Sequence, residues 1–198
     1  MNIGLTGGIA TGKSSVSALL ASKGALLIDA DVIAREVMMP GHHVLAAAVQ
    51  RFGQAILNED GTLDRKKLGS IVFQNPDERK ALEAITHPAI RQEMRERAAA
   101  YEEAYPDKLV VSDIPLLFES GLEKGFDEVV VVYVPRSLQR ERLMSRDGMT
   151  EEQADARINA QMDIEHKKQR ADVVIDNSGL WSETEQQVIS FLHHKGLI

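Results

Sequence analysis

With 198 residues, the chain is long enough for one compact domain with a substantial hydrophobic core. Its 30 acidic and 23 basic residues give a formal net charge of −7, which disfavours a nucleic acid as partner because binding such a polymer requires a basic surface. It contains no cysteine, which excludes disulfides and thiolate metal sites. Because the sequence begins in a predicted strand and lacks an apolar run of membrane-spanning length, we expect no signal peptide, no membrane association and a cytoplasmic location.

The first predicted elements are a buried strand over residues 2–6, a glycine-rich turn and a helix over residues 14–22. The turn reads GGIATGKS and matches G-x-x-x-x-G-K-[ST], the phosphate-binding P-loop. Its glycines let backbone N–H groups converge on phosphates, Lys13 is expected to reach the β- and γ-phosphates, and the Ser14 hydroxyl is expected to bind Mg²⁺. A glycine-rich turn without a ligand is the alternative, but such a turn needs neither the lysine nor the serine.

A second buried strand is predicted over residues 25–28, and Asp29 and Asp31 follow it. Open α/β sheets bind ligands at the carboxyl ends of their strands. The two aspartates are expected at such an end, next to the strand that carries the P-loop. An aspartate there could accept a proton from an attacking hydroxyl or hold Mg²⁺ through water. The alternative for one of the pair is an N-cap of a helix that begins near Val32.

Residues 37–105 form a predicted helical excursion, with helices over residues 44–49 and 79–101. It is far longer than a crossover between strands needs, so we expect it to carry a second substrate. The sequence Thr-His-Pro at residues 86–88 is predicted to interrupt the second of these helices, and Arg91 follows His87 by one turn. A lone histidine is more often structural than a ligand.

A third apolar strand, over residues 109–113, ends in Asp113. This is the Walker B pattern, whose carboxylate helps to hold Mg²⁺. A fourth strand is predicted over residues 128–134, a helix over residues 150–170, a fifth strand over residues 172–176 and a last helix over residues 183–194.

Four arginines follow the fourth strand with helical spacing. A solvated helix face is the ordinary interpretation of such a charge run. Beside a P-loop, however, a mobile arginine segment can neutralise the charge that spreads over a transferring phosphoryl group. These arginines are Arg136, Arg140, Arg142 and Arg146.

Taken together, the motifs resemble the dephospho-CoA kinase family, and the similarity runs from end to end with the motifs in order. One departure is Ala10, at a position where the family often has glycine. The stretches that carry the resemblance are TGGIATGKS at residues 6–14, IDAD at 28–31, THP at 86–88, DIPLLFE at 113–119, residues 142–147, and DNSG at 176–179.

The resemblance implies a P-loop kinase-like, three-layer α/β/α fold with a five-stranded parallel sheet, a helical substrate-binding insertion and a lid. The implied reaction is transfer of phosphate from ATP to the ribose 3′-hydroxyl of dephospho-CoA, with Mg²⁺ as cofactor, in a monomer or small homo-oligomer. Within a single domain, residues 1–198, the core would comprise about residues 1–36, 106–135 and 171–198, the CoA-binding insertion about 37–105, and the lid about 136–170.

The resemblance also implies roles for individual residues. Asp31 would be the base, assisted by Lys13 and Arg142, and Ser14 would bind Mg²⁺ together with Asp31 or Asp113 through water. How Asp29, Asp31 and Asp113 divide these duties stays open. The expected ATP-binding residues are Gly8, Ala10, Thr11, Gly12, Lys13, Ser14, Ser15, Arg142, Arg146 and Asn177. The residues expected to face dephospho-CoA are Thr6, Asp31, Arg35, His87, Arg91, Asp113 and Leu116.

Two other functions remain open at this point. One is a regulatory P-loop NTPase, because DNSG at residues 176–179 matches the D-x-x-G of GTPases; however, it follows the last predicted strand, and the chain has no Asn-Lys-x-Asp stretch for reading guanine. The other is a kinase for a different small hydroxyl substrate, such as a nucleoside or shikimate. The helical insertion with His87 argues against this second alternative, through the resemblance alone.

Overall fold

The computed structural model describes residues 1–197. Its centre is a five-stranded sheet with the order β2-β3-β1-β4-β5, in which β1 pairs in parallel with both of its neighbours. The expected five-stranded parallel sheet is thus confirmed. The strands are β1 (Asn2–Gly7), β2 (Leu26–Asp29), β3 (Val110–Asp113), β4 (Glu128–Tyr133) and β5 (Val173–Asp176).

Parallel strands need long crossover connections, and these contain α-helices except between β3 and β4, where the connection has only a 3₁₀ turn. Short 3₁₀ turns occur at Gln54–Ile56 and Glu123–Gly125. Among residues 1–197, no helix combines the length and apolar character needed to cross a membrane. The α-helices are α1 (Lys13–Ser22), α2 (Ala30–Glu36), α3 (His43–Phe52), α4 (Arg65–Gln74), α5 (Pro76–Ala104), α6 (Arg136–Asp147), α7 (Glu151–Asn159), α8 (Ile164–Arg170) and α9 (Trp181–His194).

The main hydrophobic core lies between one face of the sheet and the helices α1 and α9. Alternate residues of a strand point to the same face, so Ile3 and Leu5 of β1 join Val130 and Val132 of β4 there. Both faces of the central strands are buried, which explains why their sequences are continuously apolar. The core residues are Ile3, Leu5, Val16, Leu20, Leu109, Val111, Val130, Val132, Ile175, Val188, Phe191 and Leu192.

The chain divides into two compact units, Met1–Ile28 with Ala98–Ile198, and Asp29–Arg97. The first unit contains the P-loop and most of the sheet. The second contains α2, α3, α4 and most of α5, with a buried interior of its own that includes Ile33 and Val44. Ion pairs within the second unit link its helices, and one of them joins Arg51 to Glu78 at 2.8 Å.

The helical boundaries differ from the predicted ones in three places. Helix α5 runs from Pro76 to Ala104 through Pro88, so the predicted interruption at residues 86–88 is wrong. A proline removes one backbone hydrogen bond, and a helix of 29 residues retains the others. The predicted helix over residues 150–170 is two helices, because Asp163 accepts a hydrogen bond from the Glu165 N–H and starts α8 as a new helix. Helix α4 was not predicted.

Helices α6 and α7 pack against each other through a small hydrophobic cluster of their own. Leu143 of α6 is fully buried against Ala154 and Ile158 of α7, and Ile9 of the P-loop packs on the same cluster. At the edge of the contact, Arg136 bonds Asp155 at 3.1 Å.

We expect Leu143→Ala to lower the free energy of unfolding by about 2–5 kcal/mol, because it removes buried apolar contacts and leaves a cavity. Thermal or urea unfolding followed by circular dichroism measures the change. Leu180→Ala is the matched control, since this leucine is 70% exposed and its loss should change stability by about 0.5 kcal/mol or less. Equal effects of the two substitutions would contradict the packing described for α6.

Candidate active site

The P-loop joins β1, which ends at Gly7, to α1, which begins at Lys13. Its backbone turns sharply, with φ of +62° at Ala10 and +87° at Gly12. Gly12 is the N-cap of α1 and supplies no side-chain hydrogen bond. The first N–H groups of a helix have no intrahelical acceptor, so those of Lys13 and Ser14 form the anion-binding end that the sequence predicts.

Side chains from distant parts of the chain hold the carbonyl groups of this loop. The Gln139 amide donates to the Ile9 carbonyl at 2.8 Å, and the Asn177 amide donates to the Thr11 carbonyl at 2.8 Å. Thr11 itself donates from its hydroxyl to the carbonyl of Gly8 at 2.9 Å. Hydrogen bonds from these side chains to its carbonyl groups therefore stabilise the conformation of the loop.

These contacts give a second reason why the loop has glycine at two positions. A Cβ atom on Gly8 would collide with the amide nitrogen of Gln139, and one on Gly12 would collide with that of Asn177. The sequence explains these glycines by the approach of phosphate, whereas the structure shows that they also make room for the side chains that bind the loop.

Lys13 and Asp113 meet at the carboxyl edge of the sheet. Strands β1 and β3 are neighbours, with Leu5 in register with Asp113, which is only 6% exposed. The Lys13 ammonium forms an ion pair and hydrogen bond with the Asp113 carboxylate. The Walker B aspartate predicted from sequence thus lies beside the lysine of the P-loop.

Thr6 and Leu116 flank this pair. The Thr6 side chain is buried and donates its hydroxyl hydrogen bond to the Pro115 carbonyl at 3.1 Å. Leu116 follows Pro115 and is 43% exposed, which is unusual for a leucine in a loop that follows a buried strand.

The four arginines of α6 have different partners. Arg136 and Arg140 bind acidic residues of α7 and therefore hold the helix pair together. Arg142 donates to the backbone carbonyl of Asn177 at 2.9 Å, which places it beside the residue that holds the P-loop.

Arg146 binds the adjacent Asp147 through two hydrogen bonds of 2.8 and 3.0 Å. This contact raises the pKa of Arg146 and lowers the pKa of Asp147. The Arg146 side chain is 59% exposed, so it is accessible to a competing anion, whereas the Asp147 side chain is only 24% exposed.

In the second unit, the structure separates the roles of the two aspartates after β2. The Asp29 carboxylate caps α2 by accepting hydrogen bonds from the N–H groups of Asp31 at 2.8 Å and Val32 at 3.1 Å. Asp31 lies in the first turn of α2 with its side chain exposed, and Arg35 is exposed one turn later.

His87 and Arg91 lie one turn apart on α5, and both are half-buried. Their spacing places the two side chains on one face of that helix.

Sequence reasoning missed Lys167, whose side chain is completely buried. Its ammonium donates to the carbonyls of Gly7 and Pro115, each at 3.1 Å, and pairs with Glu119 at 2.9 Å. Burial lowers the pKa of Lys167, and Glu119 opposes that shift. Nothing in its residue type distinguishes Lys167 from the adjacent, exposed Lys168. Its burial could have been inferred only from its position three residues after the buried Ile164, on the same face of the helix.

Within residues 1–197, no cluster of three or more His, Cys, Asp or Glu side chains could hold a metal ion by itself. Mg²⁺ does not need such a cage, because it is usually bound by one or two carboxylates, waters and substrate phosphates. The hydroxyl of Ser14, which follows Lys13 in the first turn of α1, and the Asp113 carboxylate, which contacts Lys13, are oxygen ligands of the type that this ion prefers.

A P-loop on the first strand of a parallel sheet, with a Walker B aspartate at its lysine and arginines on a neighbouring helix, defines a P-loop phosphotransferase. A family model, CoaE: Dephospho-CoA kinase, matches residues 1–183. The chain belongs to the dephospho-CoA kinase family, an enzyme family that phosphorylates dephospho-CoA with ATP in coenzyme A synthesis, and the resemblance expected from the sequence is confirmed.

Individual relatives agree with the family match. The dephospho-CoA kinase of Geobacillus kaustophilus is 51% identical over 192 residues, which cover 97% of this chain and 95% of the relative. That of Anaeromyxobacter dehalogenans is 52% identical over 177 residues, covering 89% and 83%. The solved structure of dephospho-CoA kinase from Campylobacter jejuni is 34% identical, covers 100% of this chain and 98% of its own, and has a TM-score of 0.77.

We expect Ala10→Gly to raise the free energy of unfolding by about 0.5 kcal/mol. Relief of the left-handed backbone at Ala10 is worth about 1–2 kcal/mol, and the greater freedom of glycine in the unfolded chain offsets about 0.4–1 kcal/mol of this.

The matched control is Ala18→Gly, at an exposed position inside α1, which should lower stability by about 1 kcal/mol. Denaturant unfolding of both variants decides the question, and a loss of the same size at both positions would contradict the strain at Ala10.

Proposed function

We propose that the chain transfers the γ-phosphoryl group of ATP to the 3′-hydroxyl of the ribose of dephospho-CoA, giving coenzyme A and ADP. The observation that carries this proposal is the cradle formed by the P-loop, Lys13 and Asp113 in a chain whose first 183 residues match the family. Regulatory NTPase activity would need no acceptor substrate, and family membership therefore disfavours it.

On the donor side, the backbone N–H groups of the P-loop bind the β- and γ-phosphates. The Lys13 ammonium exchanges its contact with Asp113 for the phosphates, because a triphosphate offers more negative charge than one carboxylate. Asp113, freed from Lys13, and the Ser14 hydroxyl would hold Mg²⁺, and the bound ion would neutralise charge on the phosphate oxygens.

The arginines of α6 complete the donor site. Arg142 is already fixed beside the P-loop through Asn177, so it needs little reordering to meet phosphate oxygens. Arg146 is engaged by Asp147 at the exposed end of α6, and it meets the nucleotide by releasing that partner. Together with Lys13, they stabilise the charge of the transition state in an in-line displacement.

On the acceptor side, Asp31 is the base that takes the proton of the 3′-hydroxyl. Asp29 is occupied as the cap of α2, and Asp113 is assigned to Mg²⁺ in the donor site, whereas the carboxylate of Asp31 is exposed. Arg35, His87 and Arg91 supply charged and polar groups for binding the acceptor. The residues proposed to face dephospho-CoA are Thr6, Arg35, His87, Arg91 and Leu116.

These roles assign regions of the chain to the two substrates. We assign residues 37–105 to the binding of dephospho-CoA and residues 136–170 to a lid over ATP, with the remainder as the core. A lid is needed because a phosphoryl donor that stays open to water is lost to hydrolysis.

A panel of acceptors tests the proposed function. In a coupled assay of ADP release, we expect dephospho-CoA to stimulate ATP turnover, while adenosine, shikimate and a 3′-deoxy analogue of dephospho-CoA do not. EDTA should abolish turnover and Mg²⁺ should restore it. ATP hydrolysis that is independent of any acceptor would indicate a regulatory NTPase, and turnover with shikimate or adenosine would indicate a different small-molecule kinase.

The assignment of the base is tested by Asp31→Asn. This change removes the proton acceptor and should lower kcat about 10²–10⁴-fold, with the affinities for ATP and dephospho-CoA retained. Steady-state kinetics together with calorimetric binding measure both quantities.

Asp29→Asn is the matched control, because asparagine is an equally good N-cap and turnover should stay near that of the unmodified protein. Full turnover of Asp31→Asn would show that another group takes the proton.

A further inference from the structure

Lys167 occupies the gap that opens where β1 and β3 separate. The last ladder contact between these strands is the hydrogen bond from the Ile114 N–H to the Leu5 carbonyl, at 2.9 Å. Leu5 of β1 is paired with Asp113 of β3, and Gly7 and Pro115 each lie two residues later in the chain. Their carbonyl groups cannot bond each other, because both are hydrogen-bond acceptors. The Lys167 ammonium lies between them and bonds both at 3.1 Å.

The three N–H groups of this ammonium find three acceptors, namely the two carbonyls and Glu119. Glu119 also accepts a hydrogen bond from the N–H of Met162 at 2.9 Å. A buried lysine without partners would be strongly destabilising, so the complete set of acceptors makes this a built site.

The same segment has a second contact with the P-loop. Gln161, just before α8, accepts a hydrogen bond from the Ile9 N–H at 2.9 Å. Lys167 and Gln161 therefore bind the loop at Gly7 and Ile9, on either side of Gly8.

Helix α8 is itself fixed to the sheet, so these contacts have a rigid base. The Tyr133 hydroxyl of β4 donates to Glu165 at 2.6 Å, which raises the pKa of Tyr133 to about 12. The Lys168 ammonium lies 3.9 Å from the centre of the Tyr133 ring. The position of Lys167 is thus determined by β4 and not by the loop that it binds.

We propose that Lys167 is a positioning residue for ATP binding: with Gln161, it holds the first half of the P-loop at a fixed distance from the Asp113 loop, in the conformation that accepts the triphosphate. The proposal rests on the proposed binding of ATP at the P-loop. It assigns to Lys167 no contact with either substrate, and its effect passes through the carbonyls of Gly7 and Pro115.

The test is Lys167→Met, compared with Lys168→Met as the matched control. Both variants remove one lysine charge from α8, but only Lys167 contacts the P-loop. Calorimetry on the full chain measures the affinities for ATP and for dephospho-CoA, and a thermal melt measures stability. We expect Lys167→Met to weaken ATP binding about tenfold or more and to leave dephospho-CoA binding within about twofold, because small displacements of binding groups have large effects. Lys168→Met removes the contact with the Tyr133 ring but keeps the hydrogen bond from Tyr133 to Glu165, which still fixes α8, so it should leave both affinities within about twofold.

A double variant separates positioning from stability. Lys167→Met leaves Glu119 without its partner and should lower the melting temperature, whereas Lys167→Met with Glu119→Gln removes that charge and should recover most of the loss. We expect ATP binding to stay weak in the double variant, because the Gly7 carbonyl loses the Lys167 ammonium and the Pro115 carbonyl keeps only its hydrogen bond from the Thr6 hydroxyl.

Recovery of ATP affinity together with melting temperature would overturn the proposal and leave Lys167 a purely structural role. So would ATP affinity in Lys167→Met equal to that of Lys168→Met. If Lys167→Met does not fold, ATP affinity is measured instead in the double variant and in Gln161→Leu, at a half-buried position. Weaker ATP binding than in Lys168→Met supports the proposal, and equal binding overturns it. Failure of the unmodified protein to bind ATP would instead refute the proposed function.

Discussion

A loop that binds phosphate through its own N–H groups directs those groups toward the ligand, and its carbonyl groups then need donors from the protein. The structure supplies such donors along the P-loop. Lys167 serves the carbonyl of Gly7, the Thr11 hydroxyl serves that of Gly8, Gln139 serves that of Ile9, and Asn177 serves that of Thr11. The orientation of the N–H groups depends on these carbonyl hydrogen bonds, because unpaired buried carbonyls would favour another backbone conformation.

The charged side chains around the loop also have specific partners. Arg136 and Arg140 are committed to acidic residues of α7, while Arg142 contacts the Asn177 carbonyl. Lys13 is neutralised by Asp113, and Lys167 by Glu119. Arg136 and Arg140 therefore have a structural role in joining α6 to α7, and their separation from Arg142 and Arg146 follows from geometry that charge spacing alone does not contain.

Sequence reasoning predicted the features that local patterns determine. The P-loop, the five apolar strands and Asp113 follow from short contiguous stretches, and the structure contains each of them. What it could not predict depends on long-range contacts: Lys167 lies within a predicted helix, but its hydrogen bond to Gly7 spans 160 positions of the chain. Pro88 was predicted to break a helix, yet α5 continues through it, because tertiary packing outweighs one missing hydrogen bond. Sequence also left open which aspartate after β2 caps a helix, and the structure shows that Asp29 caps α2.

The dependence of the P-loop on distant donors has a consequence for how the phosphate cradle forms. Its motif occupies the first residues of the chain, but Gln139, Lys167 and Asn177 come from its last third. Contacts of such large sequence separation form only after much of the chain has been ordered, since closing long loops is entropically unfavourable. A nascent or truncated chain that lacks these residues carries the complete P-loop sequence without a stable phosphate-binding conformation. Competence to hold a nucleotide is thus acquired late, as a property of the assembled sheet and not of the eight-residue motif.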